Sequence, residues 1–301
     1  VKKVLHVIGT RNGWGIANRA RYLSDALADR WSMTTGLIED EVIMGRLKDF
    51  DIVHLHSMVY VPILTAKLKG HPAWGFEIVS HRSLPRFSWE KKAWSEAAFC
   101  VAKNPQLADE ARPYLSVEPS IIPNGVATGI FRPRPFRIGW VGRRDDPRRL
   151  DYKGVPLIEE AVRAFDASLR AEGFGSAELV FDPGDYPRVA SHEAMADWYR
   201  TLDAVVCASE AEGCSNVLLE ALAVGLPVLT TDCGIARDLE EKAGAVIVGR
   251  SAERIGAGLA FLFENEIRRR AAVLEHWSWS VVADRYDALY MEVLCAETAD
   301  G

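Results

Sequence analysis

Cysteines are few in this chain and form no pattern. The five thiols, Cys100, Cys207, Cys214, Cys233 and Cys295, lie far apart and include no C-x-x-C pair. That excludes a disulfide framework and a zinc site of the usual spacing, so a cytoplasmic, reducing setting is expected. Long hydrophobic runs are also missing. No stretch approaches the roughly 18 apolar residues of a transmembrane helix, and Val4–Ile8, interrupted by His6, is too short for the apolar region of a signal peptide. The expectation is a soluble protein, at most peripheral at the inner membrane face. Internal repeats, low-complexity tracts and coiled-coil heptads are absent. Nor is there an excess of positive charge: the formal net charge is -6, and a nucleic-acid partner is not expected.

What is present is ordinary globular material, 49% hydrophobic and 26% charged over 301 residues, enough for two domains. Charge is divided unevenly. Residues 1–136 carry 18 Lys+Arg against 13 Asp+Glu, and the remainder 18 against 29. The basic first half fits either an anionic partner, such as a phosphorylated acceptor or acidic lipid, or plain solvated charge.

Short apolar runs alternate with helical periodicity, which predicts parallel sheets wound with helices. Val4–Ile8 and Ile52–His56 read as buried strands, with others at 76–80, 99–102 and 120–122 and a helix at about 18–28. Residues 123–135, P-N-G-V-A-T-G-I-F-R-P-R-P, form a linker. The pattern then restarts: strands at 136–142, 178–182, 204–207, 228–230 and 245–248, and helices at about 155–172 and 193–202. Domains are expected at 1–134 and 135–276, with a helix near 277–293 bearing Trp277, Trp279, Tyr286 and Tyr290 on one face.

Two segments of the second half carry chemistry. In S-E-A-E-G-C-S-N-V-L-L-E-A-L-A-V-G-L-P, Glu212 and Glu220 stand eight positions apart across the start of a helix capped by Ser215 or Asn216 and stopped by Gly225 and Pro227. A helix entered through small residues offers free N–H groups and a positive dipole end to a diphosphate, and Glu220, one turn inside, can accept from a ribose diol. Spacing alone leaves two solvated acids as an equal reading. Upstream, G-R-R-D-D-P-R-R-L-D-Y-K-G places Arg143, Arg144, Arg148, Arg149 and Lys153 after a strand end, where open α/β sheets bind ligands.

The segments I-P-N-G-V-A-T-G-I-F-R-P (122–133), I-G-W-V-G-R with K-G-V-P-L-I-E-E-A (138–161), E-A-E-G-C-S-N-V-L-L-E-A-L-A-V-G-L-P-V-L-T-T-D (210–232) and W-S-W-S-V-V-A-D-R-Y-D-A-L-Y (277–290) together resemble family 4 glycosyltransferases. The resemblance implies the GT-B fold, two Rossmann-like α/β domains with parallel sheets facing across a cleft, and transfer with retention from a nucleotide-diphosphate sugar to a hydroxyl acceptor. It implies that Arg143 and Lys153 hold the pyrophosphate with Gly142 and the backbone of Gly213, Cys214, Ser215, Asn216 and Val217. Glu220 would take the ribose and Glu212 the sugar, with Glu212, His81, Arg143 and Lys153 forming the catalytic set. No cofactor or metal is implied; Asp49-Phe50-Asp51 imitates a D-x-D metal motif but runs straight into a strand.

In the first half the family's paired glycines are matched by Gly15 alone, with Trp14 at the other position. Trp14 reads as a sugar platform or a lid over the core. Strand-end histidines suit sugar hydroxyls or packing; His81 matches a family histidine near the donor sugar, and His56 with Arg82 is placed on the acceptor side. The segment 82–94 mixes basic and aromatic residues suited to a lipid-linked or glycan acceptor, to a membrane surface, or to an amphipathic helix. The leading expectation is a glycosyltransferase acting on a glycan, glycolipid precursor or small metabolite. Alternatives are a sugar phosphorylase or epimerase of the same fold and a non-catalytic nucleotide-sugar binder. Oligomeric state is not legible.

Overall fold

The computed structural model describes residues 1–9, 15–79, 85, 88–131, 133–184 and 191–299, with backbone only for 88–89 and 297–299. It divides into two compact units, Val1–Phe131 with Ala272–Gly301, and Arg132–Ala271. Each is an α/β unit built on one parallel sheet.

In the first unit the strands are β1 (Lys3–Ile8), β2 (Ser32–Leu37), β3 (Ile52–Leu55), β4 (Trp74–Ile78), β5 (Phe99–Ala102) and β6 (Ser120–Ile121), ordered β2-β1-β3-β4-β5-β6. The helices are α1 (Ile16–Leu27), α2 (Glu41–Met44), α3 (Val61–Leu68), α4 (Ser88–Ser95) and α5 (Pro105–Ala111). The central strands β3, β4 and β5 are buried throughout, which is why they read as apolar runs. Strand β2, Ser-Met-Thr-Thr-Gly-Leu, escapes that pattern because it is an edge strand pairing only with β1 and half open to solvent.

The second unit holds β7 (Phe136–Trp140), β8 (Ala177–Phe181), β9 (Ala204–Cys207), β10 (Val228–Thr231) and β11 (Val246–Val248), ordered β11-β10-β9-β7-β8. Its helices are α6 (Pro147–Tyr152), α7 (Val155–Ala171), α8 (His192–Tyr199), α9 (Asn216–Ala223), α10 (Ala236–Ala243) and α11 (Ala252–Leu262). The first strand β7 lies between β8 and β9, so the chain winds outward in both directions from it. The carboxyl ends of β7 and β9 therefore flank a topological switch point, where an open sheet leaves a crevice.

α12 (Glu264–Trp277) and α13 (Trp279–Ala299) end the chain. The helix expected near 277–293 is present as α13, beginning at Trp279; Ser278 sets it off from α12 by forming a parallel bridge with Val126, whose N–H donates to the Trp277 carbonyl at 2.7 Å. On α13, Trp279, Val282, Ala283, Tyr286, Leu289, Tyr290 and Val293 are buried with Leu23 and Leu27 of α1 and with strand residues of the first sheet. Trp277 stays 42% exposed and leaves the aromatic face incomplete. No helix among the described residues is long and apolar enough to cross a membrane.

Candidate active site

At the carboxyl edge of the second sheet a concavity is lined by Trp140, Val141, Lys153, Cys207, Ser209, Glu212 and the 214–217 segment. Lys153 arrives at the C-cap of α6 and pairs through Nζ with Glu212 Oε1. The same oxygen accepts from Ser209 Oγ at 2.7 Å, while Thr231 Oγ1 donates to the Ser209 carbonyl at 2.6 Å. A chain of hydrogen bonds thus runs from β10 through the β9 exit to the Lys153–Glu212 pair. Next in sequence, Gly154 has φ +71° and a Cβ there would lie 2.3 Å from the Ala208 carbonyl. Only glycine lets the lysine-bearing loop press so close to the strand exit.

The loop carrying Glu212 is held from two further sides. Arg250 donates to the carbonyls of Ala208 at 3.0 Å and Asp151 at 2.6 Å, and pairs with Glu210 at 3.3 Å. Tyr152 adds a hydroxyl bond to the Ala211 carbonyl at 3.0 Å. Opposite, Gly234 (φ +58°) would place a Cβ 2.1 Å from the Gly213 carbonyl. Arg250 lies far along the chain in an unremarkable stretch, and no sequence signal points to it. Trp140, Val141, Cys207 and Ser209 were findable from the strand-end rule.

Helix α9 enters the concavity at its N-terminus. Ser215 is the N-cap but its side chain makes no capping bond, and the first turn holds no acid. The expected side-chain cap is therefore not made, and the dipole end faces the space unneutralised. Glu220 follows one turn inside, where its Oε2 accepts from the Tyr199 hydroxyl at 3.0 Å.

Of the residues expected to bind donor, Lys153, Glu212, Cys214, Ser215, Asn216 and Val217 line this one space. Arg143, Gly213 and Glu220 are not in that lining; Arg143 forks onto Asp145 at 3.1 and 2.6 Å on the exposed loop. Gly142 sits over the Trp140 ring, where a Cβ would come within 2.6 Å. Arg144 turns to the Gly184 carbonyl at 2.6 Å and stacks on Phe181. Gly15 belongs to the first unit, in a pocket with Asn18, Arg19, Tyr22, Asn124 and Trp279. Trp14, His81 and Arg82 lie outside the described residues.

His56 is not on a surface that an acceptor reaches. It is fully buried with His6, His54 and Glu77, under Arg19 and Lys103. Glu77 accepts from Lys103 Nζ at 2.9 Å and from the Tyr286 hydroxyl at 2.5 Å, and its other oxygen lies 3.3 Å from Arg19. Burial would raise the Glu77 pKa, but Lys103 and Arg19 outweigh it and hold the carboxyl well below its ordinary range. Burial, with the neighbouring His56, keeps His6 and His54 well below theirs. Burial likewise lowers His56, against the pull of Glu77. Among the described residues these three histidines are the group whose ligand atoms gather within 4.8 Å. Tyr290 already bonds His6 Nε2 at 3.2 Å and His54 Nδ1 at 2.7 Å, and a dication would face two cations sharing one carboxylate. The cluster suits a neutral packed core better than a metal.

Residues 136–265 match the family model described as glycosyl transferases group 1. The D-inositol 3-phosphate glycosyltransferase 1 of Catenulispora acidiphila is 25% identical over 305 residues, covering 82% of this chain and 73% of that protein. The phosphatidyl-myo-inositol mannosyltransferase of Propionibacterium freudenreichii is 28% identical over 275 residues, covering 80% and 70%. Among solved structures, the sucrose-phosphate synthase of Thermosynechococcus elongatus aligns over 98% of this chain and 100% of that one, at 14% identity and a TM-score of 0.44. The second unit is a group 1 glycosyltransferase domain, and the chain that carries it is a glycosyltransferase.

Proposed function

We propose that the enzyme moves a sugar from a nucleoside diphosphate sugar to a hydroxyl acceptor, with retention of anomeric configuration and without a metal or other cofactor. The observation that carries this reading is the Lys153–Glu212 pair beside the uncapped first turn of α9. Such a site suits a departing diphosphate: Lys153 supplies a point charge and the helix N–H groups supply fixed dipoles where negative charge grows. Glu212, held by Ser209 as well as Lys153, stays oriented when the lysine turns to phosphate and presents an acceptor to the sugar hydroxyls. Glu220 takes the ribose. In a front-face displacement the leaving phosphate oxygen receives the acceptor proton, so no dedicated base is needed. Arg143 joins the diphosphate only by leaving Asp145, an exposed and solvent-screened pair.

The acceptor in this reading carries an anionic group. Two relatives, an inositol 3-phosphate and a phosphatidylinositol enzyme, support it, as does the basic first half of the sequence. Reaction in the cytoplasm, at most against the inner membrane face, belongs to the same reading.

The test is thermal stabilisation by UDP, GDP and ADP and their sugars, followed by Lys153→Ala and Glu220→Ala. One nucleotide should raise Tm, both variants should bind it at least tenfold more weakly, and NMR of the product should show the donor's anomeric configuration. Unchanged affinity in both folded variants refutes the donor site; an inverted product refutes retention.

A further inference from the structure

We propose that Tyr199 is a positioning residue for the ribose-binding carboxylate, making discrimination for a ribonucleotide a property of the Tyr199–Glu220 pair rather than of Glu220 alone. This rests on the reading of Glu220 as the ribose acceptor. Tyr199 ends α8 and is 1% exposed, packed among Leu202, Val205, Leu218 and Ala221. Its hydroxyl emerges from that core against α9, donating to Glu220 Oε2 at 3.0 Å and lying 3.5 Å from the Val217 carbonyl.

A glutamate on a helix surface has three rotatable side-chain bonds and no reason to keep one orientation. A buried donor on a fixed ring removes that freedom. Carboxylates offer about four lone-pair sites; with one taken, Oε1 and the rest of Oε2 remain for two vicinal hydroxyls. The direction of the bond is also set. Burial, together with the Glu220 charge, raises the Tyr199 pKa, so the phenol remains a donor and the carboxylate an acceptor. α8 and α9 reach the two residues from different parts of the fold, 21 positions apart, so the pairing is a tertiary device.

Titration calorimetry on the full chain with UDP, GDP and ADP, each beside its 2′-deoxy counterpart, tests this in wild type, Tyr199→Phe and Glu220→Ala. Phenylalanine keeps the buried ring, and an unchanged far-UV spectrum checks the fold. Wild type should favour the ribonucleotide about tenfold, and both variants should compress that ratio to about twofold or less. A Tyr199→Phe variant retaining the full ratio while Glu220→Ala loses it overturns the proposal and leaves the ribose assignment standing. A ratio retained in Glu220→Ala, or absent from wild type, overturns the assignment and the proposal with it. A merely structural tyrosine would weaken both nucleotides equally, which also counts against the pairing.

Discussion

The hydroxyl of Tyr286 donates to Oε1 of Glu77 at 2.5 Å, joining positions 209 residues apart. Through this bond the C-terminal helix α13 closes the buried charge cluster of the first unit. Lys103 touches both members, at 2.7 Å from the Tyr286 hydroxyl and 2.9 Å from Glu77. A carboxylate 1% exposed is tolerable here only because two cations and a phenol surround it.

Glu77→Gln should therefore destabilise the protein by about 3–5 kcal/mol, since Arg19 and Lys103 lose their shared counter-charge. Tyr286→Phe should cost less, about 1.5–3 kcal/mol, the range for a hydrogen bond to a charged group. Urea denaturation measures both. Adding Lys103→Met to Glu77→Gln should recover part of the loss; strict additivity of the two would show that the charges are not coupled.

Acid should loosen the fold well before carboxylates protonate. His6, His54 and His56 have folded pKa values below the ordinary 6.5. The unfolded chain thus binds more protons than the folded one below that pH, and stability falls as pH decreases. Above 6.5 the contribution is fully present. Between pH 7.5 and 5.5 each histidine that stays neutral costs about 1 kcal/mol, so Tm should drop by roughly 5–10 °C. Glu77, whose pKa is depressed from 4.5, adds its own loss only at still lower pH. A flat Tm across pH 7.5–5.5 would contradict the burial of neutral imidazoles.

Arg250 should matter to binding more than to folding. Its guanidinium ties the Asp151 carbonyl to that of Ala208, fixing the two loops that deliver Lys153 and Glu212. Arg250→Ala should weaken nucleotide affinity about tenfold or more by letting these side chains drift apart, with a Tm loss of only a few degrees. Lysine lacks the fork needed to reach both carbonyls, so Arg250→Lys should rescue little. Full affinity in either variant would show that the loops hold without the clamp.

Gly234→Ala should damage the site from behind. Both the positive φ and the 2.1 Å approach to the Gly213 carbonyl oppose a side chain, at a cost of about 1–3 kcal/mol. Because the displaced neighbour is the Glu212–Gly213 loop, nucleotide affinity should fall with stability. By contrast Gly213→Ala meets open space and should leave stability near wild type. Equal stability losses in the two variants would refute this account.

Much of the architecture lay in local pattern. Buried central strands such as β3 and β9 are continuous apolar runs, and α9 is announced by small polar residues before Val217 and by Gly225 and Pro227 after it. The edge strand β2, half solvated, carries no such run, and the break at Ser278 depends on Val126, which local periodicity cannot register. Within the site, the Glu212–Glu220 spacing and the lysine before Gly154 are sequence features because the positions belong to one helix entry and one glycine turn.

By itself the sequence determined two parallel α/β units, the glutamate pair at a helix start and a cationic loop after a strand. Tertiary structure alone decided which cation meets Glu212, that His56 is buried beneath Arg19, and that Tyr199 and Arg250 serve the site from elsewhere in the chain. The physical reason is range. Strand runs and helix starts arise from neighbours within a few positions, whereas burial, ion pairing and hydrogen bonding to distant carbonyls depend on which surfaces the fold brings into contact.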